Sequence, residues 1–112
     1  MIAPQQDFQK FLDGQRAAYQ RALPEKTAQI HALWGAVGPG AEAAAALTDL
    51  ERLAHTLAGT AGTLGFRAVG LAAQALELQL EQAAQTGLAL TPAQRSDIAL
   101  AIAALQASLP ID

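Results

Sequence analysis

Between residues 47 and 83 the chain carries one apolar spacing twice. Leu47, Leu50, Ala54, Leu57, Ala61 and Leu64 are separated by 3, 4, 3, 4 and 3 residues, and so are Phe66, Val69, Ala73, Leu76, Leu80 and Ala83. Alternating threes and fours follow the 3.6-residue turn of an α-helix and not the period of a strand. Each run therefore makes a single apolar stripe on one side of a helix. A helix of that kind must lay its stripe against other elements. Gly65, a residue suited to ending a helix, separates the two runs. The two segments are thus expected to form an antiparallel hairpin.

The rest of the chain supplies the other helices. A first is expected from about Pro4 or Gln5 to Leu23, with Phe8, Phe11, Leu12, Gln15, Tyr19 and Ala22 as an imperfect stripe weakened at Gly14. Pro24 reads as a break and as the first residue of a second helix, which would bury Thr27, Ile30, Leu33, Trp34 and Val37. Gly38-Pro39-Gly40 is the clearest loop. The third helix is expected from near Ala41 to about Leu64, and the fourth to end around Gln85-Thr86-Gly87. Thr91-Pro92 offers an N-cap followed by proline at N1, opening a last helix to about Ser108 that buries Ile98, Ile102, Leu105 and Leu109. No segment alternates as a strand does. Short connections imply antiparallel neighbours. The expected fold is all-α: a single domain over residues 1–112, an up-and-down antiparallel four-helix bundle with an additional short N-terminal or lead-in helix.

Composition closes off several kinds of chemistry. Apolar residues make up 52% of the 112, enough for one core, and aromatics only 4%, so that core is mainly Leu and Ala. There is no cysteine, hence no disulfide framework and no thiolate chemistry. With two histidines and no His-x3-His pair, no metal site is expected. Ser96 and Ser108 sit in no nucleophile motif, and no phosphate-cradling loop is present. Net charge is −3 and no Lys/Arg run exists, which excludes a nucleic-acid surface. The most apolar stretch, Ile98 to Leu105, is too short for a membrane span, and the N-terminus has no signal-peptide pattern. A cytoplasmic protein is the expectation.

One residue stands out against this plain background. His55 projects about 130° from the centre of its helix's stripe and should face water. Thr48, Glu51 and Arg52 precede it on that face, and Ala58, Gly59 and Gly62 follow it. Two turns below the imidazole thus carry almost no side chain. Glycine inside a helix costs roughly 0.5–1 kcal/mol relative to alanine. Either something must come close to His55 or a neighbouring helix packs there. Gly59 points nearly opposite the stripe, which favours the first reading at that position. His31 has no such clearing and reads as a surface histidine.

The hairpin also brings a partner to His55. His55 lies eleven residues before Phe66 and Glu77 eleven after it, so an antiparallel pair sets them side by side. A carboxylate there can accept from Nδ1–H and leave Nε2 free. The alternative is a solvated helix charge.

His55-Thr-Leu-Ala-Gly59-Thr-Ala-Gly62-Thr-Leu-Gly65-Phe66 resembles the motif of the histidine phosphotransfer (HPt) domain family, in which a helix carries H-x-L-K-G-[SA]-A and a glycine ten residues after the histidine. His55, Leu57, Gly59, Ala61 and Gly65 fall on matching positions. Thr60 replaces Ser or Ala, and Ala58 stands where the family usually has lysine. The resemblance implies a phosphoryl carrier without an ATP site and without autonomous catalysis. His55 would take phosphate from a receiver-domain aspartate and pass it to another receiver. The implied partners are response-regulator receiver domains and a hybrid sensor histidine kinase, the chain itself acting as a monomer. No cofactor is implied beyond Mg2+ on the receiver. A Gln or Glu often stands at the place of Glu77 in the family. Arg52, one turn before His55, or Arg67, at a family position that can be basic, would stand in for the lysine; the alternative is that either is a surface charge. Thr48, Glu51, Ala58, Gly59 and Gly62 would meet the partner. The rival reading is an HPt-like module that binds a receiver or another helix without being phosphorylated.

Overall fold

The computed structural model describes residues 4–38, 43–87 and 89–110. They form four helices and no strand: α1 (Pro4–Gly35), α2 (Ala43–Thr63), α3 (Arg67–Gln85) and α4 (Pro92–Ala107). Each helix packs against the next, and α4 returns to α1, so α1 and α3 flank α2 on different sides. This is the expected four-helix bundle. The expected start of α2 near Ala41 lies outside the described residues.

The expected break at Pro24, and with it a separate lead-in helix, is corrected by the structure. α1 is one helix of 32 residues with Pro24 inside it. The stripe explains why. Tyr19, Leu23, Thr27, Ile30 and Trp34 keep helical phase across the proline, and Leu23, Thr27 and Ile30 are buried. Pro24 itself is exposed. The hydrogen bond that proline cannot make is therefore lost at a face open to water. Thr27 Oγ1, the one buried polar side chain among the described residues, donates to the carbonyls of Leu23 and Pro24 at 3.1 Å each.

α1 also outruns its neighbours. Tyr19 packs against Phe66, ring centroids 5.8 Å apart, at the α2–α3 turn. Ahead of that contact residues 4–11 are all exposed, with Phe8 at 62% and Phe11 at 59%. The molecule is 61 Å long, although a 21-residue helix such as α2 spans only about 32 Å. The front of the first stripe is thus not packed into the core: Phe8 and Phe11 are exposed, and Phe11 and Leu12 only border an open depression beside α2.

The α2–α3 hairpin is set by its turn. Gly65 has φ 87°, Phe66 N–H donates to the Ala61 carbonyl at 2.8 Å, and Gly65 N–H donates to that of Gly62 at 3.2 Å. This pair of bonds closes a helix through a left-handed residue that glycine supplies without strain. Both stripes then meet: Leu50, Ala54, Ala61, Ala73, Leu76 and Leu80 are fully buried. Alanines let the two backbones approach, and Gly70 brings them closest. A Cβ added at Gly70 would lie 3.4 Å from the Gly62 nitrogen. α4 begins as expected with Thr91 as N-cap, and Gln94 completes a reciprocal capping box. It buries Ile98, Ile102 and Leu105.

Candidate functional site

His55 lies in the middle of α2, with its side chain 76% exposed, and Glu77 lies opposite on α3, 21% exposed. Nδ1 of His55 is 2.5 Å from Glu77 Oε2. An ionised carboxylate only accepts, so Nδ1 carries the hydrogen and a neutral ring presents its lone pair at Nε2. The two nitrogens flank Cε1 and point in different directions in the ring plane, so engaging Nδ1 with Glu77 leaves Nε2 free.

Between α2 and α3 runs an open groove of about 580 Å³. His55 and Glu77 close one end, Gly65 and Arg67 the other, and Ala58, Gly59, Gly62 and Gly70 line it. A Cβ at Gly59 or at Gly62 would meet no atom within 4 Å. The clearing beside His55 is thus real space, and the glycine needed for helix contact is Gly70. The packing alternative for Gly59 finds no neighbour to support it.

The remaining sequence candidates divide around the imidazole. Thr48, Glu51, Arg52, Glu77 and Glu81 share a second depression with His55, on the side toward the start of α2. Arg52 lies 3.7 Å from Asp49, both well exposed. Such surface pairs contribute about 0–1 kcal/mol, so Arg52 is loosely held beside three carboxylates. Arg67 faces the glycine groove instead. His31 is exposed on α1 and lines none of the depressions around His55.

Two contributions escaped the sequence reading. Gln74 also lines the groove. The counting that pairs Glu77 with His55 sets Gln74 across from Ala58, so the signal was available. The other is a third depression formed with α1 by Phe11, Leu12 and Gln15, also bordered by His55. Nothing local in the sequence announces it.

Among the described residues no group of three or more His, Cys, Asp or Glu side chains stands together to hold a metal ion. No described helix is long and apolar enough to cross a membrane. The arrangement offers one accessible nitrogen nucleophile, an oriented ring, open space and a nearby guanidinium. The sequence profile of the Hpt domain matches residues 7–108, nearly the whole chain. No curated protein and no solved structure gives a significant match.

Proposed function

The chain belongs to the Hpt domain family, whose members carry phosphoryl groups on histidine in two-component phosphorelays, and from that premise we propose that His55 is its phosphoacceptor. The observation that supports this reading is the exposed imidazole, held through Nδ1 by Glu77 beside an open groove that contains Arg67. Nε2 would attack the phosphorus of an aspartyl phosphate on a receiver domain. The N–P bond forms as the acyl P–O bond breaks, and the aspartate leaves as a carboxylate. The positive charge gained by the ring stays on the Nδ1–H side, facing Glu77. Transfer to a second receiver is the same step reversed. Phosphoryl transfer of this sort depends mainly on positioning and charge stabilisation. The protein therefore contributes the nucleophile and its orientation, while Mg2+ belongs to the receiver.

The usual family lysine is absent, Ala58 standing in its place. Arg52, one turn before His55 in the same depression, is the cation we assign to the transferred phosphate, with Arg67 at the far end of the groove as the second candidate. A hybrid sensor kinase and a response regulator would be the two receiver-bearing partners of a monomeric, cytoplasmic carrier.

The test is incubation with phosphorylated receiver domains, followed by mapping of acid-labile, base-stable phosphate. The expected site is His55. Phosphate on His31 would overturn the assignment of His55, and none with several active receivers would favour the rival reading, a receiver-binding module without transfer, which Ala58 keeps in view.

Glu77→Ala is expected to slow transfer on the order of 10-fold, the low end for a partner that orients a reacting imidazole. Glu77→Gln, whose amide oxygen still accepts from Nδ1–H, should retain most of the rate. Single-turnover transfer from one receiver to the two variants measures both. Equal rates in wild type and Glu77→Ala would make Glu77 a mere surface charge.

A further inference from the structure

His55 sits at a boundary along the α2–α3 hairpin. Counting outward from Phe66 sets Glu51 opposite Glu81, fifteen residues to either side, just as it sets His55 opposite Glu77. Glu51 is one turn before His55 on α2, Glu81 is one turn after Glu77 on α3, and both line the depression that His55 borders on that side. In the other direction Ala58 lies opposite Gln74 and Gly62 opposite Gly70, and no charged side chain lines the groove between the His55–Glu77 pair and Arg67. We propose that Glu51 and Glu81 set the balance of the transfer: they make phosphohistidine at His55 a strong donor, so that the phosphoryl group rests mainly on the receiver. The inference rests on the reading of His55 as the phosphoacceptor and concerns where the equilibrium lies once it carries phosphate.

A phosphoryl group on Nε2 is anionic. The ring gains one positive charge, which faces Glu77 through Nδ1–H, so ring and Glu77 offset each other. Glu51 and Glu81 have no such counterpart. The ion pairs around His55 among the described residues are His55–Glu77 and Arg52–Asp49, and neither includes them. Arg52 therefore offers the phosphate a charge that it also shares with Asp49, and no second cation stands one turn below, where the residue is Ala58. Like charges one helical turn apart repel even when exposed. Glu77 and Glu81, four residues apart on α3, already form a destabilising pair of this kind, a placement that the packing of α3 does not require, since Glu81 is exposed. The unphosphorylated imidazole is neutral and feels no such repulsion. The two carboxylates thus raise the free energy of the phosphorylated form alone. As the N–P bond breaks and the P–O bond to the receiver's aspartate forms, Nε2 recovers its lone pair and the repulsion is relieved. That relief belongs to the carrier and is the same whichever receiver takes the phosphate.

The experiment measures the equilibrium constant for phosphate exchange between the chain and a receiver, for wild type, Glu81→Gln, Glu51→Gln and the double variant. It is approached from both phosphorylated partners, below their dissociation constant, with the phosphate on the chain mapped to His55. Each single variant is expected to shift the constant about 3-fold toward phosphohistidine, and the double variant about 10-fold, as for exposed charges at this range. Glu81→Lys should shift it further than Glu81→Gln. The fold-change should be the same with a second receiver of unrelated sequence. It should also shrink as salt rises toward about 1 M, where the screening length falls to about 3 Å. A merely structural role would move the melting temperature and neither of these. An unchanged constant in the double variant overturns the inference. So does a shift seen with one receiver and absent with the other, since the glutamates are then contacts of that partner. Direct labelling by phosphoramidate separates this inference from the reading beneath it. A His55 that is labelled while the constant stays unchanged overturns the inference alone, and a His55 that takes label from neither phosphoramidate nor receivers overturns both.

Discussion

His55→Gln is expected to give a protein that folds as the wild type does and accepts no phosphate from any receiver. The stability half of this expectation follows from exposure. With 76% of its side chain in water, His55 belongs to the class of surface positions where a substitution changes stability by no more than about 0.5 kcal/mol. Its contact with Glu77 is also largely open to solvent on the histidine side, where such pairs contribute little. The chemical half follows from electronic structure. Glutamine has nearly the reach and polarity of histidine, but the lone pair of its amide nitrogen is delocalised into the carbonyl. It can occupy the site and cannot form the N–P bond. The loss should therefore be complete, not graded. Matched melting curves establish the fold, and acid-labile phosphate after exposure to phosphorylated receivers establishes the loss. A His55→Gln protein that still takes up phosphate at the wild-type rate would move the acceptor to another residue.

The second large effect is expected at Gly59, and there stability and activity should part company. Gly59 sits one turn below His55 within α2, at a φ ordinary for a helix, and a Cβ there would touch nothing within 4 Å. Gly59→Ala should therefore stabilise the free domain by roughly 0.5–1 kcal/mol, the usual gain in helix propensity and loss of unfolded-state freedom. Gly59→Gln should also fold, because its longer side chain points into the same open space. It would nevertheless occupy ground that a receiver needs, since Gly59 borders both the glycine groove and the depression walled by α1. A misplacement of about 1 Å between reacting groups can cost on the order of 100-fold, and that is the expected slowing of transfer. Melting temperature and receiver-to-His55 rate, measured on the same variants, decide the matter. A Gly59→Gln protein that is fully folded and transfers at the wild-type rate would show that the partner does not dock over this face.

Much of the site is legible in the sequence because the hairpin is a local object. Two stripes of identical spacing, joined through Gly65, leave one way to zip α2 against α3, and counting outward from Phe66 pairs His55 with Glu77. The same count reaches Gln74, opposite Ala58. Gly59 and Gly62 were readable as a clearing from their angle to the stripe. The glycine that the packing does use, Gly70, was not singled out, because its role appears only once the backbone of α2 lies against it.

Pro24 shows the opposite case. Proline in a helix interior is disfavoured by about 3 kcal/mol relative to alanine, and by local rules the chain should break there. It does not, because Leu23, Thr27 and Ile30 are buried in the bundle together, and that burial needs one uninterrupted helix. The energy that decides the question comes from contacts with other helices, which no window around residue 24 contains.

The sequence by itself determined the all-helical class, the register of α2 on α3, and the exposed histidine with its carboxylate, since each follows from periodicity, turn chemistry and counting along neighbouring residues. Only the tertiary structure decided that α1 is continuous, that it runs past the α2–α3 turn, and that Phe8 and Phe11 remain uncovered beyond it. The reason is physical: a stripe tells a helix which side to bury, but the lengths and placement of its neighbours determine how much of that side finds a cover.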